Sequence, residues 1–340
     1  MSKKQSSKAD IVAVALAAKV SASTVSRSFN HPDLVNPATR KKIDRAVKKL
    51  GYIRNRAAQA MHGKRSGTIG LIVPTIDHAI FAEVVQSFSE ALEAAGFTIL
   101  MASHGYDLTR EYQVLRKLLE HRVDGVALIG LDHAEDTFQL IEQQEIPTVA
   151  IWNHSDKSRI SCIGADNYLA GQLAAQHLLD LGHRDIGLIF PATAGNDRAL
   201  GRMQGAVDTL QNAGIILRDD WLFEAPYDIG RAKDVCLNML AIGHRPRAVL
   251  CGNDVIAQGA IYAGHSVGLR LPDQLSIIGI GDFKGSAEIE PPLSTVRIPA
   301  KNIGRLSGEL IVDLVANGTT EPMRILCEVK PIARMSTAPL

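Results

Sequence analysis

The chain has 340 residues, 46% of them hydrophobic, and a formal net charge of +1. That length suits a small head plus two lobes of ordinary domain size, and no apolar run is long enough to span a bilayer. Cys162, Cys236, Cys251 and Cys327 are scattered without metal-ligand spacing and read as reduced, packed thiols.

The near-neutral sum hides a division. Residues 1–66 hold 15 Lys+Arg against 3 Asp, about +12, which leaves 22 basic and 33 acidic residues for 67–340, about −11. A basic head favours a polyanion through counterion release, and an acidic body keeps the rest of the chain off it. A merely solvated lysine-rich face is the alternative. The start, Met1-Ser2-Lys3-Lys4-Gln5, lacks the apolar segment and cleavage site of a signal peptide, so a cytoplasmic protein is expected.

Asp10 can cap a first helix on which Ile11, Val14, Ala15 and Ala18 recur at helical spacing. Ser21 can cap a second. There Val20, Val25 and Phe29 are the apolar positions, and Ala22, Ser23, Ser26 and Arg27 face the other way. Small residues around one long cation let a helix sit deep in a DNA major groove. Asn36-Pro37 starts a third helix with Ile43, Ala46, Val47 and Leu50 on one face. Its other faces carry Arg40, Lys41, Lys42, Arg45, Lys48 and Lys49, and Gly51 closes it. Three short helices sharing an apolar face make a helix-turn-helix domain, placed at 8–54. The stretch from Asn55 to Lys64 is a helix too short to persist alone, and 55–66 reads as hinge and linker.

The body alternates strands and helices. Strands are expected at 68–74, 97–102, 125–129 and 147–151, with helices over 81–95, 110–121 and 138–144. The alternation restarts with a helix at 167–181 and a strand at 185–190. Helices at 205–213, 232–240 and 256–268 and strands at 248–251 and 275–280 follow. The fold class is therefore α/β: an all-α head, a hinge helix and two doubly wound, parallel-sheet lobes. Ligands of such sheets bind beyond the carboxyl ends of strands, here in the cleft between lobes. Residues just after strands are the candidates: Asp77 and Phe81, Trp152 and Asn153, Asn253 and Asp254, and Asp282.

The order V-S-x-x-T-V-S-R-x-x-N at 20–30, L-G-Y-I-x-N-x-A-A-Q-x-M at 50–61 and G-x-I-G-L-I-V-P at 67–74 resembles the LacI/GalR family of bacterial transcription regulators. The resemblance runs through the whole chain and is most specific in the head. It implies that Ala22, Ser23 and Arg27 read bases while Thr24, Ser26 and Asn30 anchor phosphates, with Ser21 at the start of the same helix. The hinge would enter the minor groove from Asn55, with Met61 as the wedge and Ala58 beside it. It also implies crossovers between lobes, giving one lobe from 67–165 plus 296–322 and another from 166–295 plus 323–340. Two departures concern the head. The family usually has Asp at the position of Ala13 and Gly at that of Lys19, where a left-handed non-glycine costs roughly 1 kcal/mol.

By the same resemblance Arg202, with Arg198 nearby, falls on the effector-binding arginine just ahead of a helix beginning near Gly205, and Tyr227 on an aromatic that covers the ligand. Many sugar-binding members carry Asp where this chain has Trp152 and Gly281. Losing two acceptors while offering two arginines favours an anionic ligand, a sugar acid such as gluconate or a sugar phosphate.

Enzyme motifs are weak. Gly279-Ile-Gly281-Asp-Phe-Lys-Gly285 has one residue too many before its last glycine for a dinucleotide fingerprint and sits late in the chain. No phosphate-binding loop, nucleophile elbow or H-E-x-x-H stretch occurs. No catalytic residue, metal or cofactor is expected. The expected protein is a dimeric, ligand-responsive repressor on a palindromic operator, with no membrane partner. The competing reading is a transport-type solute-binding protein, which shares the two-lobed body but not the basic head.

Overall fold

The computed structural model describes residues 9–54, 65–77, 81–318 and 321–340. The chain forms two compact units, a head up to Ser66 and a body from Gly67. Among the described residues no single helix is long and apolar enough to cross a membrane, and no cluster of His, Cys, Asp or Glu has the arrangement of a metal site.

The head contains α1 (Ile11–Ala18), α2 (Ala22–Asn30) and α3 (Pro37–Leu50). Each starts on the residue whose side chain can replace the missing helical acceptor. Asp10 accepts from Ala13 N at 2.8 Å, Ser21 from Thr24 N at 3.1 Å and Asn36 from Ala38 N at 2.9 Å. Val14, Ala15, Ala18, Val25, Ile43 and Ala46 form the buried core. Two readings need adjusting. Leu50 is exposed because it is the last residue of α3, and Ala22 leans against the core instead of facing wholly away. Lys19 stands in the left-handed region (φ 56°, ψ 47°), its amide closing α1 onto the carbonyls of Ala15 and Leu16.

The body holds two six-stranded sheets. In chain order its elements are β1 (Thr68–Val73), α4 (Ala82–Ala94), β2 (Thr98–Ser103), α5 (Leu108–Glu120), β3 (Gly125–Ile129), α6 (Glu135–Gln143), β4 (Thr148–Asn153) and β5 (Ser161–Ala165). The second series is α7 (Asn167–Asp180), β6 (Ile186–Phe190), α8 (Asp197–Asn212), β7 (Leu222–Glu224), α9 (Ile229–Leu240), β8 (Ala248–Cys251), α10 (Asp254–Ser266) and β9 (Ser276–Gly281). The chain closes with β10 (Ser294–Arg297), α11 (Ala300–Asn317), β11 (Arg324–Leu326) and β12 (Lys330–Ile332). The first sheet runs β11-β5-β4-β3-β1-β2, all parallel. The second runs β12-β10-β9-β8-β6-β7, parallel except for the β10–β12 pair. Central strands such as β3 and β4 are buried at every residue, which is why they read as unbroken apolar runs.

Three differences from the sequence reading matter. The long α11 and the strand β5 are additional elements; β5 is short and rich in Ser, Cys and Gly, so it lacks an apolar signature. The second return runs further than 322, because Arg324–Leu326 pairs with Cys162–Gly164 on the first sheet before β12 rejoins the second. Likewise β10 stays on the second sheet through Arg297. Finally, α8 begins at Asp197 and not near Gly205, so Arg198 and Arg202 lie inside a helix. Its first turn is charged, and its apolar face emerges only further on.

Candidate DNA-reading helix and effector cleft

In the head the exposed groups of α2 are Ser23 and Arg27, flanked by half-buried Thr24, Ser26 and Asn30. The capping Ser21 hydroxyl also lies 2.8 Å from Ser23 Oγ and 2.8 Å from Thr24 Oγ1, so the start of the helix is a closed hydroxyl cluster. Arg27 extends from this surface as its long cation. The basic residues of α3 from Arg40 to Lys49 are exposed as well. Asn30 is more committed than its expected phosphate role requires. Its amide donates to Ser26 Oγ at 3.3 Å and accepts from Arg54, whose guanidinium also lies 5.7 Å from the centre of the Phe29 ring. Asn30 thus acts as a strut between α2 and the chain leaving the head. Asn55, Ala58 and Met61 lie outside the described residues.

In the body, the effector candidates gather at the carboxyl ends of strands, together with residues that the sequence reading missed. Two glycines set the register. A Cβ on Gly171 would stand 2.0 Å from Arg202 O, and one on Gly205 would stand 2.0 Å from Tyr168 O. Only glycine lets α7 and α8 cross this closely. The crossing brings Arg202 Nε within 2.8 Å of Asn167 Oδ1, while Arg202 Nη1 donates to Gly252 O at 3.1 Å. Asn167 Nδ2 donates to Asn153 Oδ1 at 3.0 Å, and Asn153 Nδ2 to Asp197 Oδ2 at 2.7 Å. A chain of hydrogen bonds therefore runs from the second lobe into the first.

Asp197 ties the lobes further. Its Oδ2 accepts from Leu131 N at 2.8 Å, and its Oδ1 accepts from Arg198 Nη1 at 2.8 Å. Arg198 is buried; its Nη2 makes no hydrogen bond of ordinary geometry, although the guanidinium interacts with the Tyr106 hydroxyl. Trp152 Nε1 and Asn253 Nδ2 are buried without partners. Asn253 caps α10 with its oxygen on Ile256 N at 2.9 Å. Trp152 is fully buried at φ 89°, edge-on to Phe81 with ring centres 5.6 Å apart. Tyr227 accepts from Asn196 Nδ2 at 3.0 Å and faces the Tyr106 ring at 6.4 Å. Burial, and then the neighbouring Tyr227, push the Tyr106 phenol above its usual range; burial presses the Arg202 guanidinium down.

Two candidates stand apart. Asp77 is exposed, its amide held by Thr75 Oγ1 at 3.1 Å. Asp282 is occupied: its carboxylate lies 2.6 Å from Arg297 Nε and 2.7 Å from Arg334 Nη2, so it fastens the β9 end to β10 and the C-terminal segment. Asp254, buried beneath it, accepts from Phe283 N, Ser286 Oγ and Thr295 Oγ1 at 3.0, 2.6 and 2.6 Å. Asn167, Asn196 and Asp197 are not evident from sequence because β5, just ahead of Asn167, lacks an apolar signature and the first turn of α8 is charged. The Asn196-Asp197 pair, a good helix start, was the available signal.

The description "Periplasmic binding proteins and sugar binding domain of LacI family" matches residues 66–335, and "Bacterial regulatory proteins, lacI family" matches residues 10–55. The chain belongs to the LacI family. Its curated relatives include the HTH-type transcriptional repressor PurR of Yersinia enterocolitica, 29% identical over 97% of both chains. A LacI-family regulator from Silicibacter pomeroyi superposes with a TM-score of 0.86 at 26% identity, covering 96% of this chain and 99% of that one. The Lac repressor dimer bound to operator superposes at 0.84 and 25% identity, covering 98% of this chain and all of that one. The helix-turn-helix head is thus the DNA-binding part of a LacI-family transcription regulator, and the two-lobed body is its periplasmic-binding-protein-like core.

Proposed function

We propose that this LacI-family member is a cytoplasmic repressor that binds a palindromic operator as a homodimer and responds to an anionic, sugar-type effector held between its lobes. The head supports the first part: α2 offers Arg27 and Ser23 for base edges, with Thr24, Ser26 and the basic face of α3 near the phosphates. One such head covers only a half-site, so two are needed. The family match over the head leaves the transport-type reading without support.

The observation that carries the effector class is a mismatch of donors and acceptors. Trp152 Nε1 and Asn253 Nδ2 are buried donors without partners and Arg198 Nη2 makes no hydrogen bond of ordinary geometry, whereas the carboxylates of Asp197, Asp254 and Asp282 are already engaged. A ligand that supplies acceptors and negative charge satisfies such a cleft; one that supplies mainly hydroxyl donors does not. A sugar acid such as gluconate, or a sugar phosphate, fits. Phe81, Trp152, Asn153, Arg198, Arg202, Tyr227 and Asn253 are the residues assigned to it.

A thermal-shift series tests this, since a ligand that binds only the folded state raises its melting temperature by mass action. Gluconate or glucose 6-phosphate should raise the melting temperature of the body in a concentration-dependent way while glucose does not. A shift with glucose alone would sink the anionic reading.

A further inference from the structure

One carboxylate between the lobes is bound in the way a ligand's anionic group would be. Asp197 is the first residue of α8, and its two oxygens gather four donors. Oδ2 takes Leu131 N–H at 2.8 Å and Asn153 Nδ2 at 2.7 Å, both from the first lobe. Oδ1 takes Arg198 Nη1 at 2.8 Å and the Arg198 amide at 2.9 Å. The cradle is shaped for this. Gly130, at φ 95°, runs so close that a Cβ there would stand 2.3 Å from Arg198 Nη1 and 2.9 Å from Asp197 Oδ1. A main-chain amide, a side-chain amide, a guanidinium and a helix start pointing at one spot make an anion site.

Asp197 does not exhaust that site. Trp152 Nε1, next in sequence to Asn153, is fully buried and unpaired, and Arg198, 5% exposed, has Nη2 in no hydrogen bond of ordinary geometry, with only the Tyr106 hydroxyl interacting with its guanidinium. The Asp197 side chain, by contrast, is 20% exposed, so it borders solvent and has somewhere to go. Two buried arginines, Arg198 and Arg202, also need a counter-charge whenever no other anion is bound.

We propose that the Asp197 carboxylate is a built-in stand-in for the effector's anionic group, and that binding exchanges one for the other on Leu131 N–H, Asn153 Nδ2 and the Arg198 guanidinium. The inference rests on the anionic-effector reading above and adds to it where the anion docks and what it displaces. Asp197 bridges the lobes, so displacing it replaces an interlobe tie made by the protein with one made through the ligand. Effector binding and lobe geometry are then coupled at a single carboxylate. The internal competitor also sets a selectivity floor, because a neutral ligand cannot displace a carboxylate from a guanidinium.

The test is calorimetric titration of the full-length protein with gluconate, glucose 6-phosphate and glucose, using the native chain, D197N, N153A and the double variant. D197N keeps the size and an acceptor for Leu131 N–H but removes the charge. It should bind gluconate at least tenfold more tightly than the native chain. Most of that gain should vanish in the N153A background, because the incoming anion uses the same Asn153 amide. D197S serves as a second removal of the carboxylate and should shift affinity in the same direction. Weaker gluconate binding in D197N and D197S would make Asp197 a clasp that binding requires, and would overturn the stand-in role. A gain undiminished by N153A would also overturn it, since Asp197 would then act only through its field. Glucose binding to every variant, with both anions silent, would instead refute the anionic reading itself.

Discussion

The head and the body solve opposite problems. Among its described residues the head packs a core of small or branched apolar side chains and leaves Ser23 and Arg27, its proposed base-reading groups, in solvent. The body keeps its proposed effector groups inside, where Arg202, Asn167, Asn153 and Asp197 form a chain of buried and half-buried hydrogen bonds and Trp152 and Asn253 keep unpaired donors. A surface reader needs only a scaffold and a face. A buried reader needs each polar group satisfied or reserved for the ligand, because an unpaired buried donor costs roughly 1–3 kcal/mol. On the proposed roles, then, stability and function sit on separate residues in the head, while between the lobes they share them.

The comparison breaks most visibly in the head core. Ile43 is fully buried in the smaller of the two units. Ile43→Ala should cost about 2–5 kcal/mol, most of what so small a unit has. Calorimetry should show the head's transition lost or strongly lowered with the body's unmoved. A joint shift of both transitions would mean that the units do not unfold separately.

Arg27→Ala takes away function without stability. Operator discrimination should fall by about 1–3 kcal/mol per half-site while weak binding to random duplex persists. Titrations of both duplexes at one salt concentration check this. Equal weakening on the two would assign Arg27 to phosphate contact.

Lys19→Gly should do the reverse. Relieving a left-handed non-glycine at φ 56° is worth roughly 1 kcal/mol, which should raise the head's melting temperature. No gain in the melting temperature would mean that contacts of the lysine offset the strain.

The smallest effect sharpens the body's side of the contrast. Burial lowers the pKa of His104, His177 and His183 from the usual 6.5. For His104 the Arg198 charge adds to the lowering and Glu111 opposes it. The unfolded chain therefore binds more protons just below that value. The stability from these groups is fully present above pH 6.5 and is lost as the pH falls through the lowered values. Chemical denaturation of the body at pH 7.5, 6.0 and 5.0 should show a declining free energy. A flat profile over that range would show that the three imidazoles are accommodated when charged.

The sequence by itself determined the helix starts of the head, the exposed face of α2 and the strand–helix alternation, because each is a local matter. A cap needs an oxygen within three residues, as Asp10, Ser21 and Asn36 provide. An amphipathic helix shows its period in one stretch, and a fully buried parallel strand shows as an apolar run such as Val126–Ile129. The tertiary structure decided where the cleft's polar groups go. Asn167 reads as an ordinary helix-starting residue until Gly171 and Gly205 bring its helix against the one carrying Arg202. Asp282 reads as a ligand contact until Arg297 and Arg334 arrive from 15 and 52 residues away. Asp197 carries no local sign of a role between the lobes until Leu131 and Asn153 close on it from the other lobe. A buried polar atom's role is fixed by its partners, and those partners are set by topology rather than by neighbours in sequence.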